Sequence, residues 1–187
     1  MQTAIIVHGM PSKEEYFDST LPSPSNAHWF PWLQKSLLER GVIAQTPEMP
    51  TPYDPSYEEY SAILESFPID EETILIGHSL GAGFLLKYLA QQQLPFRQLV
   101  LVAPWIDLEG ELPSDFFKDT FAQSVLHPER ITLFYSNDDS VETGPSVAAI
   151  REHYPNMEEH IFSNKGHFCQ SDIGPTFPQL LEALDQQ

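Results

Sequence analysis

Thr73-Ile74-Leu75-Ile76-Gly77-His78-Ser79-Leu80-Gly81-Ala82-Gly83-Phe84, running on through Leu85–Gln92 (LLKYLAQQ), is the stretch from which the rest of the chain can be read. Its first four residues are apolar or β-branched without a break, the pattern of a strand covered on both faces. From Ala82 to Gln92 the pattern is helical. Between the two lies Gly77-x-Ser79-x-Gly81, the spacing of a sharp strand-to-helix turn. Side chains at either glycine would crowd that turn, and Ser79 between them would stand exposed at the helix N-terminus.

Outward from this unit, five more β-rich runs stand out: Thr3–His8, Val42–Thr46, Gln98–Ala103, Ile131–Ser136 and Glu158–Ser163. Thr3–His8 and Gln98–Ala103 share the doubly covered pattern, whereas Glu158–Ser163 is polar enough for an edge. Helical spacing marks His28–Arg40, Ser56–Ser66, Leu80–Gln92, Gly144–His153 and Thr176–Asp185. In the first of these, Asn26 is a candidate cap, Pro31 falls in the first turn and Gly41 is a natural stop. Strands alternating with helices imply an α/β fold with a parallel sheet and right-handed crossovers. There is no internal repeat. Three irregular stretches interrupt the rhythm: Met10–Ala27 with three prolines, Pro47–Pro55 with four, and Pro104–Pro128, which has room for a short helix at Asp115–Gln123. Loops of this length in a compact domain tend to carry function. Met10–Ala27, Pro47–Tyr57 and Pro104–Asp119 are therefore the expected pocket walls.

The length, 187 residues, fits a single domain spanning 1–187. With 27 acidic against 9 basic residues the formal charge is −18, which argues against nucleic acid or an anionic membrane as a partner, since both are bound through Lys and Arg. The one cysteine, Cys169, can form neither an internal disulfide nor a cysteine-based zinc site, which suits a reducing interior. The N-terminal run has no basic region ahead of its short apolar stretch, and no segment approaches 18 apolar residues. A cytoplasmic protein is the expectation.

A serine hydroxyl attacks a carbonyl only when a base takes its proton, and the base needs an acid to fix its tautomer. On folds that use the Gly-x-Ser-x-Gly turn the chain order is serine, acid, histidine. Here Ser79 is followed by Asp138-Asp139, directly after the run Ile131–Ser136, and then by His167, directly after the last strand. All three fall at carboxyl ends of strands, where open α/β sheets place their sites. Of the other histidines, His160 lies within a strand, His127 and His153 in surface-like segments, and His28 at a helix start. His78 sits in the turn itself, in a position that ordinarily points away from the reacting centre. Adjacent aspartates cannot both meet one imidazole; Asp139 is taken as the acid, Asp138 as the alternative, and Asp107 as a more distant one. The backbone N–H groups of Leu80 and Met10 are the expected oxyanion donors. A phosphate-cradling loop is disfavoured, because neither G-x-G-x-x-G nor G-x-x-x-x-G-K-[ST] is present, and no His-Glu-x-x-His suggests a metal.

Several segments together resemble a known family. Ile6-Val7-His8-Gly9, His28-Trp29-Phe30-Pro31-Trp32-Leu33, Pro47-Glu48-Met49-Pro50, Gly77-His78-Ser79-Leu80-Gly81, Asn137-Asp138-Asp139 and Gly166-His167-Phe168 are similar to the small serine hydrolases related to retinoblastoma-binding protein nine, within the α/β-hydrolase superfamily. The resemblance covers nearly the whole chain. It implies a three-layer fold around a six-stranded, mostly parallel sheet ordered 2-1-3-4-5-6, a minimal lid, and the second of the paired aspartates, Asp139, as the acid. The chain departs from the family pattern after Asp139, where Ser140-Val141-Glu142 replaces an expected proline. No Leu-x-Cys-x-Glu peptide is present, so the namesake's partner is not carried over.

The expected activity is hydrolysis of a carboxylic ester or related acyl compound, without cofactor or metal, on a small-molecule substrate. A thioesterase or acyltransferase with the same triad, or a catalytically silent binding protein, are the alternatives. Oligomeric state is not readable from the sequence. Trp29 and Trp32 read as helix-packing residues, Cys169 as a small buried side chain, and Glu14-Glu15, Glu58-Glu59 and Glu158-Glu159 as solvated charge. The acidity predicts weak activity on anionic esters.

Overall fold

The computed structural model of the chain describes residues 2–112, 115–121 and 126–184. Strand β3 (Thr73–His78) is buried at every position and lies inside a six-stranded sheet. Around it run β1 (Thr3–Val7), β2 (Ile43–Gln45), β4 (Gln98–Val102), β5 (Ile131–Ser136) and β6 (Glu158–Phe162), in the order β2-β1-β3-β4-β5-β6, with every pairing parallel. Parallel neighbours cannot be joined by a tight turn, so the connections cross the sheet faces and bring helices with them.

The strand alternation splits the core in two. Leu75, Leu99, Leu101 and Leu133 face one layer, formed by α3 (Tyr57–Glu65), α4 (Leu80–Gln92) and α5 (Thr143–His153). Ile74, Ile76, Val100, Val102 and Phe134 face the other, formed by α2 (Phe30–Glu39) and α7 (Pro178–Leu184). The sheet is thus sandwiched, as its unbroken apolar central strands require. β6, with no fully buried position, is one edge of the sheet, and the three-residue β2 is the other.

α4 is buried continuously from Leu80 to Ala90. The two glycines that flank Ser79 permit this: a Cβ at Gly77 would run into the Ala82 backbone, and one at Gly81 into the carbonyls of Val7 and His8. α2 stops where the sequence indicates. Gly41 takes φ +80, and the bonds Val42 N–H to Leu37 O and Gly41 N–H to Leu38 O form the six-to-one and five-to-two pair of a Schellman end.

Three segments differ from expectation. α2 starts at Phe30 rather than His28, because His28 adopts φ 56, outside helical space, and Asn26 closes a separate short turn at Pro24–Asn26 instead of capping α2. Residues 116–121 are turns, so the helix expected at Asp115–Gln123 is absent there; 122 and 123 lie outside the described residues. Two short helices went unread: α1 (Lys13–Phe17) and α6 (Gln170–Ile173). α1 had a legible start in the capping box Ser12-x-x-Glu15, which the surrounding prolines obscured.

The register decides where the loops meet. Val7 is paired with Gly77, His78 with Val102, and Ser136 with Phe162. His8, Ser79, Asn137–Asp139 and the loop leading to His167 therefore emerge along the same edge of the sheet.

Candidate functional site

Ser79 occupies the turn between β3 and α4 with φ 55 and ψ −123, a conformation an L-residue adopts only when its surroundings impose it. The imposition is visible. Ser79 N–H donates to Val102 O at 2.9 Å, and Ser79 O accepts from Ala82 N–H at 3.0 Å and Trp105 N–H at 3.2 Å. Leu80 and Gly81 follow as the first helical residues, so their backbone N–H groups belong to the unpaired set at a helix N-terminus.

His167 lies in the loop between β6 and α6. Its Nδ1 is 2.8 Å from Oδ1 of Asp139, whose side chain is 5% exposed. The same oxygen accepts from Ser140 N–H at 2.6 Å. Asp138 does not reach the imidazole. Its Oδ1 accepts from Ser136 Oγ–H at 2.5 Å and from Gly166 N–H at 3.2 Å, and those bonds hold its carboxyl below the usual aspartate range. Ser136 Oγ in turn accepts from Lys165 N–H. The two aspartates thus divide the work: Asp139 meets the ring, and Asp138 ties down the loop that carries it. Asp107 is engaged elsewhere, accepting from Glu111 and Leu112 N–H at 2.7 and 2.9 Å.

Met10 follows a dipeptide whose orientation is fixed by His8. Met49 N–H donates to His8 Nε2 at 3.0 Å, so the ring proton sits on Nδ1 and is donated to Gly9 O at 2.7 Å. The N–H of Met10 is antiparallel to that carbonyl across the planar peptide. It therefore points away from the His8 ring. Burial keeps His8 neutral by lowering its pKa from the ordinary 6.5.

Ser79 and His167 line a common cavity of about 390 Å³. Its walls come from Gly9–Pro11, Glu15, Tyr16, Leu21, Pro22, Pro24, Ala27 and His28 on one side and Cys169–Ser171 on the other. Met10–Ala27 is thus a wall as expected. Pro47–Tyr57 and Pro104–Asp119 contribute no described residue to it: Tyr53 packs behind the wall against Tyr16 and Phe17, Glu48 accepts from Ser25 N–H, and Trp105 and Phe116 pack in the layer of α3 and α4. Glu15 is a cavity residue rather than plain surface charge. Glu159 is paired with Arg151 at 3.0 Å and Glu158 with His160 at 2.8 Å, so neither is simply solvated. Trp29 and Trp32 pack in the α2 layer.

Two of the histidines set aside in the sequence, His78 and His28, gather here. His78 does not point away: it lines the cavity, and its Nε2 lies 2.7 Å from the carbonyl of His167. Burial holds its pKa well below 6.5, with repulsion from His167 and His28 adding to the effect. His28, also depressed mainly by burial, lies 5.3 Å ring to ring from His78, and its Nδ1 accepts from Gln170 N–H. No local sequence signal distinguishes these two. Burial pushes the Cys169 thiol up to about 12, aided by Asp172, Asp139 and Glu15, so it stays protonated and unreactive. Among the described residues no group of three or more His, Cys, Asp or Glu side chains could hold a metal, and no helix is long and apolar enough to cross a membrane.

With this geometry in view, the comparisons with known proteins are informative. The family model described as serine hydrolase matches residues 21–185. YdeN of Bacillus subtilis (strain 168), whose name assigns it to the hydrolases, is 33% identical over 139 residues, covering 70% of this chain and 73% of that protein. The crystal structure of the B. subtilis ydeN product superposes with a TM-score of 0.75 at 24% identity, over 99% of this chain and 97% of that one. More distant likenesses, which bear on the fold alone, include MGS-MChE2, an α/β-hydrolase enzyme from a lagoon-sediment metagenome in Morocco (TM-score 0.63, 18% identity, 98% and 90% covered). A monoacylglycerol lipase of Paleococcus ferrophilus is another (TM-score 0.65, 13% identity, 97% and 91% covered).

Proposed function

The chain belongs to the serine hydrolase family, within the α/β-hydrolase superfamily, and from that premise we propose that it hydrolyses a carboxylic ester or related acyl compound through Ser79, His167 and Asp139. The observation that carries the reading is the 2.8 Å bond from His167 Nδ1 to the buried Asp139 carboxylate, beside a left-handed Ser79 lining the same cavity.

In this reading Ser79 Oγ forms a bond to the substrate carbonyl carbon as its proton passes to His167 Nε2. Asp139 keeps the other nitrogen protonated and stabilises the imidazolium without taking the proton itself. The tetrahedral oxyanion is held by the N–H groups of Leu80 and Met10. Collapse breaks the bond to the alcohol, which leaves with the proton from His167. Water, deprotonated by the same ring, then attacks the acyl-enzyme, releases the carboxylic acid and restores Ser79. His8 supports the arrangement by fixing the Gly9 carbonyl, and hence the direction of the Met10 N–H.

The substrate reading follows from the cavity. Among the described residues its walls hold Met10, Pro11, Leu21, Pro22, Pro24, Ala27 and the acidic Glu15, and no lysine or arginine. That favours an uncharged or cationic ester of modest size. The test is labelling by a fluorophosphonate together with turnover of p-nitrophenyl acetate. Both are expected in the wild type and absent in Ser79→Ala and His167→Ala; labelling that survives Ser79→Ala removes Ser79 as nucleophile.

A further inference from the structure

His167 sits between two residues with left-handed backbones, Gly166 at φ 49 and Phe168 at φ 58. A loop bent this way on both sides of one residue is held by its contacts rather than by local preference. Besides the Asp138 bond to Gly166 N–H from the end of β5, four side chains supply those contacts. Trp29 Nε1–H donates to Phe168 O at 3.1 Å, His28 Nδ1 accepts from Gln170 N–H at 3.2 Å, and Asp172 Oδ2 accepts from His167 and Cys169 N–H at 3.1 and 3.0 Å. The fourth is His78, whose Nε2 lies 2.7 Å from His167 O.

The His78 contact differs from the others in where it starts. Trp29 and His28 reach the loop from the start of α2, and Asp172 reaches it from α6. His78 is the last residue of β3 and directly precedes Ser79. Its bond therefore spans the two reacting side chains by the shortest covalent route: from Ser79 one residue back, across one hydrogen bond, to the backbone of His167 itself. A carbonyl only accepts, so the His78 proton is on Nε2, and Nδ1 is a buried nitrogen with no hydrogen-bond partner. Its Nε2 is committed to the His167 carbonyl, and the ring is packed edge-on against His28 and Trp29. Nothing in the strand requires a histidine there.

We propose that His78 is a positioning residue: it sets the separation between Ser79 and the His167 imidazole by holding the carbonyl of His167 from the same rigid turn that carries the nucleophile. The assignment rests on the proposed function and extends it to a residue outside the triad. His78 acts through His167, so its loss should lower the rate of proton transfer while leaving substrate binding nearly untouched.

The test compares His78→Phe, which keeps an aromatic ring but no donor, with His78→Gln, whose terminal amide nitrogen can reach where Nε2 was. His78→Asn, too short to reach, is the polar control and stands in for His78→Phe should that variant lack a cooperative unfolding transition. With p-nitrophenyl acetate, kcat is expected to fall about 10- to 100-fold in His78→Phe and His78→Asn, the scale of a displacement of about 1 Å at a reacting group. KM should change by less than about threefold, and His78→Gln should recover most of the loss. In a His167→Ala background the His78→Phe change should have no further effect on residual turnover. An equal loss in both backgrounds, a loss confined to KM, or no rescue by glutamine overturns the assignment. A wild type whose turnover survives Ser79→Ala instead overturns the proposed function, and takes this assignment with it.

Discussion

His78 stays neutral in the folded protein because burial penalises its charged form and three histidines, His167, His28 and His8, surround it. In the unfolded chain it titrates at its ordinary pKa of 6.5. The sign follows directly: below 6.5 the unfolded state binds a proton that the folded state refuses, so acidification favours unfolding and stability rises with pH through that window. For one such group the loss between pH 7.5 and pH 5.5 is about 1.4 kcal/mol, provided the folded-state pKa lies below that range. His8 and His28 act in the same direction, both depressed mainly by burial. The whole-protein pH profile also contains carboxylates, so the informative quantity is a difference. His78→Gln removes the titration and retains the donor. The stability advantage of wild type over His78→Gln, from urea unfolding followed by tryptophan fluorescence, should shrink by about 1.4 kcal/mol between pH 7.5 and 5.5. That corresponds to about 3–5 °C in Tm for a chain of this size. An advantage that stays constant with pH would mean that His78 titrates normally in the folded state, and the burial argument would fail.

Other outcomes follow from the same geometry. Asp139→Asn removes the carboxylate charge and lets an amide N–H face His167 Nδ1, favouring the wrong tautomer, and should reduce kcat about 10³- to 10⁴-fold, whereas Asp138→Asn, which loosens only the loop, should cost about tenfold. A larger loss for Asp138→Asn on p-nitrophenyl acetate would reverse the roles assigned here. Trp29→Phe leaves the Phe168 carbonyl unpaired in a buried setting and should destabilise by about 1–3 kcal/mol, read as a lower urea midpoint with an unchanged slope. Finally, a succinyl ester should be turned over more slowly than its acetyl counterpart, and Glu15→Gln should narrow that gap; a faster succinyl rate in the wild type would contradict the reading of the cavity.

Much of the architecture was readable from residue order. The six strands and the main helices follow from short apolar runs and from a period of 3.6, which are properties of short windows, whereas the strand order was implied by the family resemblance. The strand-to-helix turn is equally local, since Gly77 and Gly81 are where a side chain would strike the backbone of Ala82 and β1. The position of Ser79, Asp139 and His167, each directly after a β-rich run, also puts all three candidates at the carboxyl ends of strands. The short helices α1 and α6 escaped because four or five residues carry no periodicity, and only a capping pattern marks their starts.

What the tertiary structure decided is which of those neighbours touch. Asp138 and Asp139 are adjacent, equally acidic and equally near the end of β5; only the turn after Ser136 directs one carboxylate to the imidazole and the other to the Gly166 amide. The cavity takes its walls from Met10–Ala27 and not from the two other irregular stretches, because Tyr53 and Glu48 sit behind that segment while Trp105 and Phe116 pack with α3 and α4. His78, His28 and Trp29 meet the His167 loop across separations of 89, 142 and 139 residues. Contacts at such distances depend on sheet register and loop path together, and no window of sequence contains both partners. A local pattern can specify a strand, a helix or a strained serine, but hydrogen bonds that hold a loop from the far end of the chain exist only once the sheet has brought the two ends together.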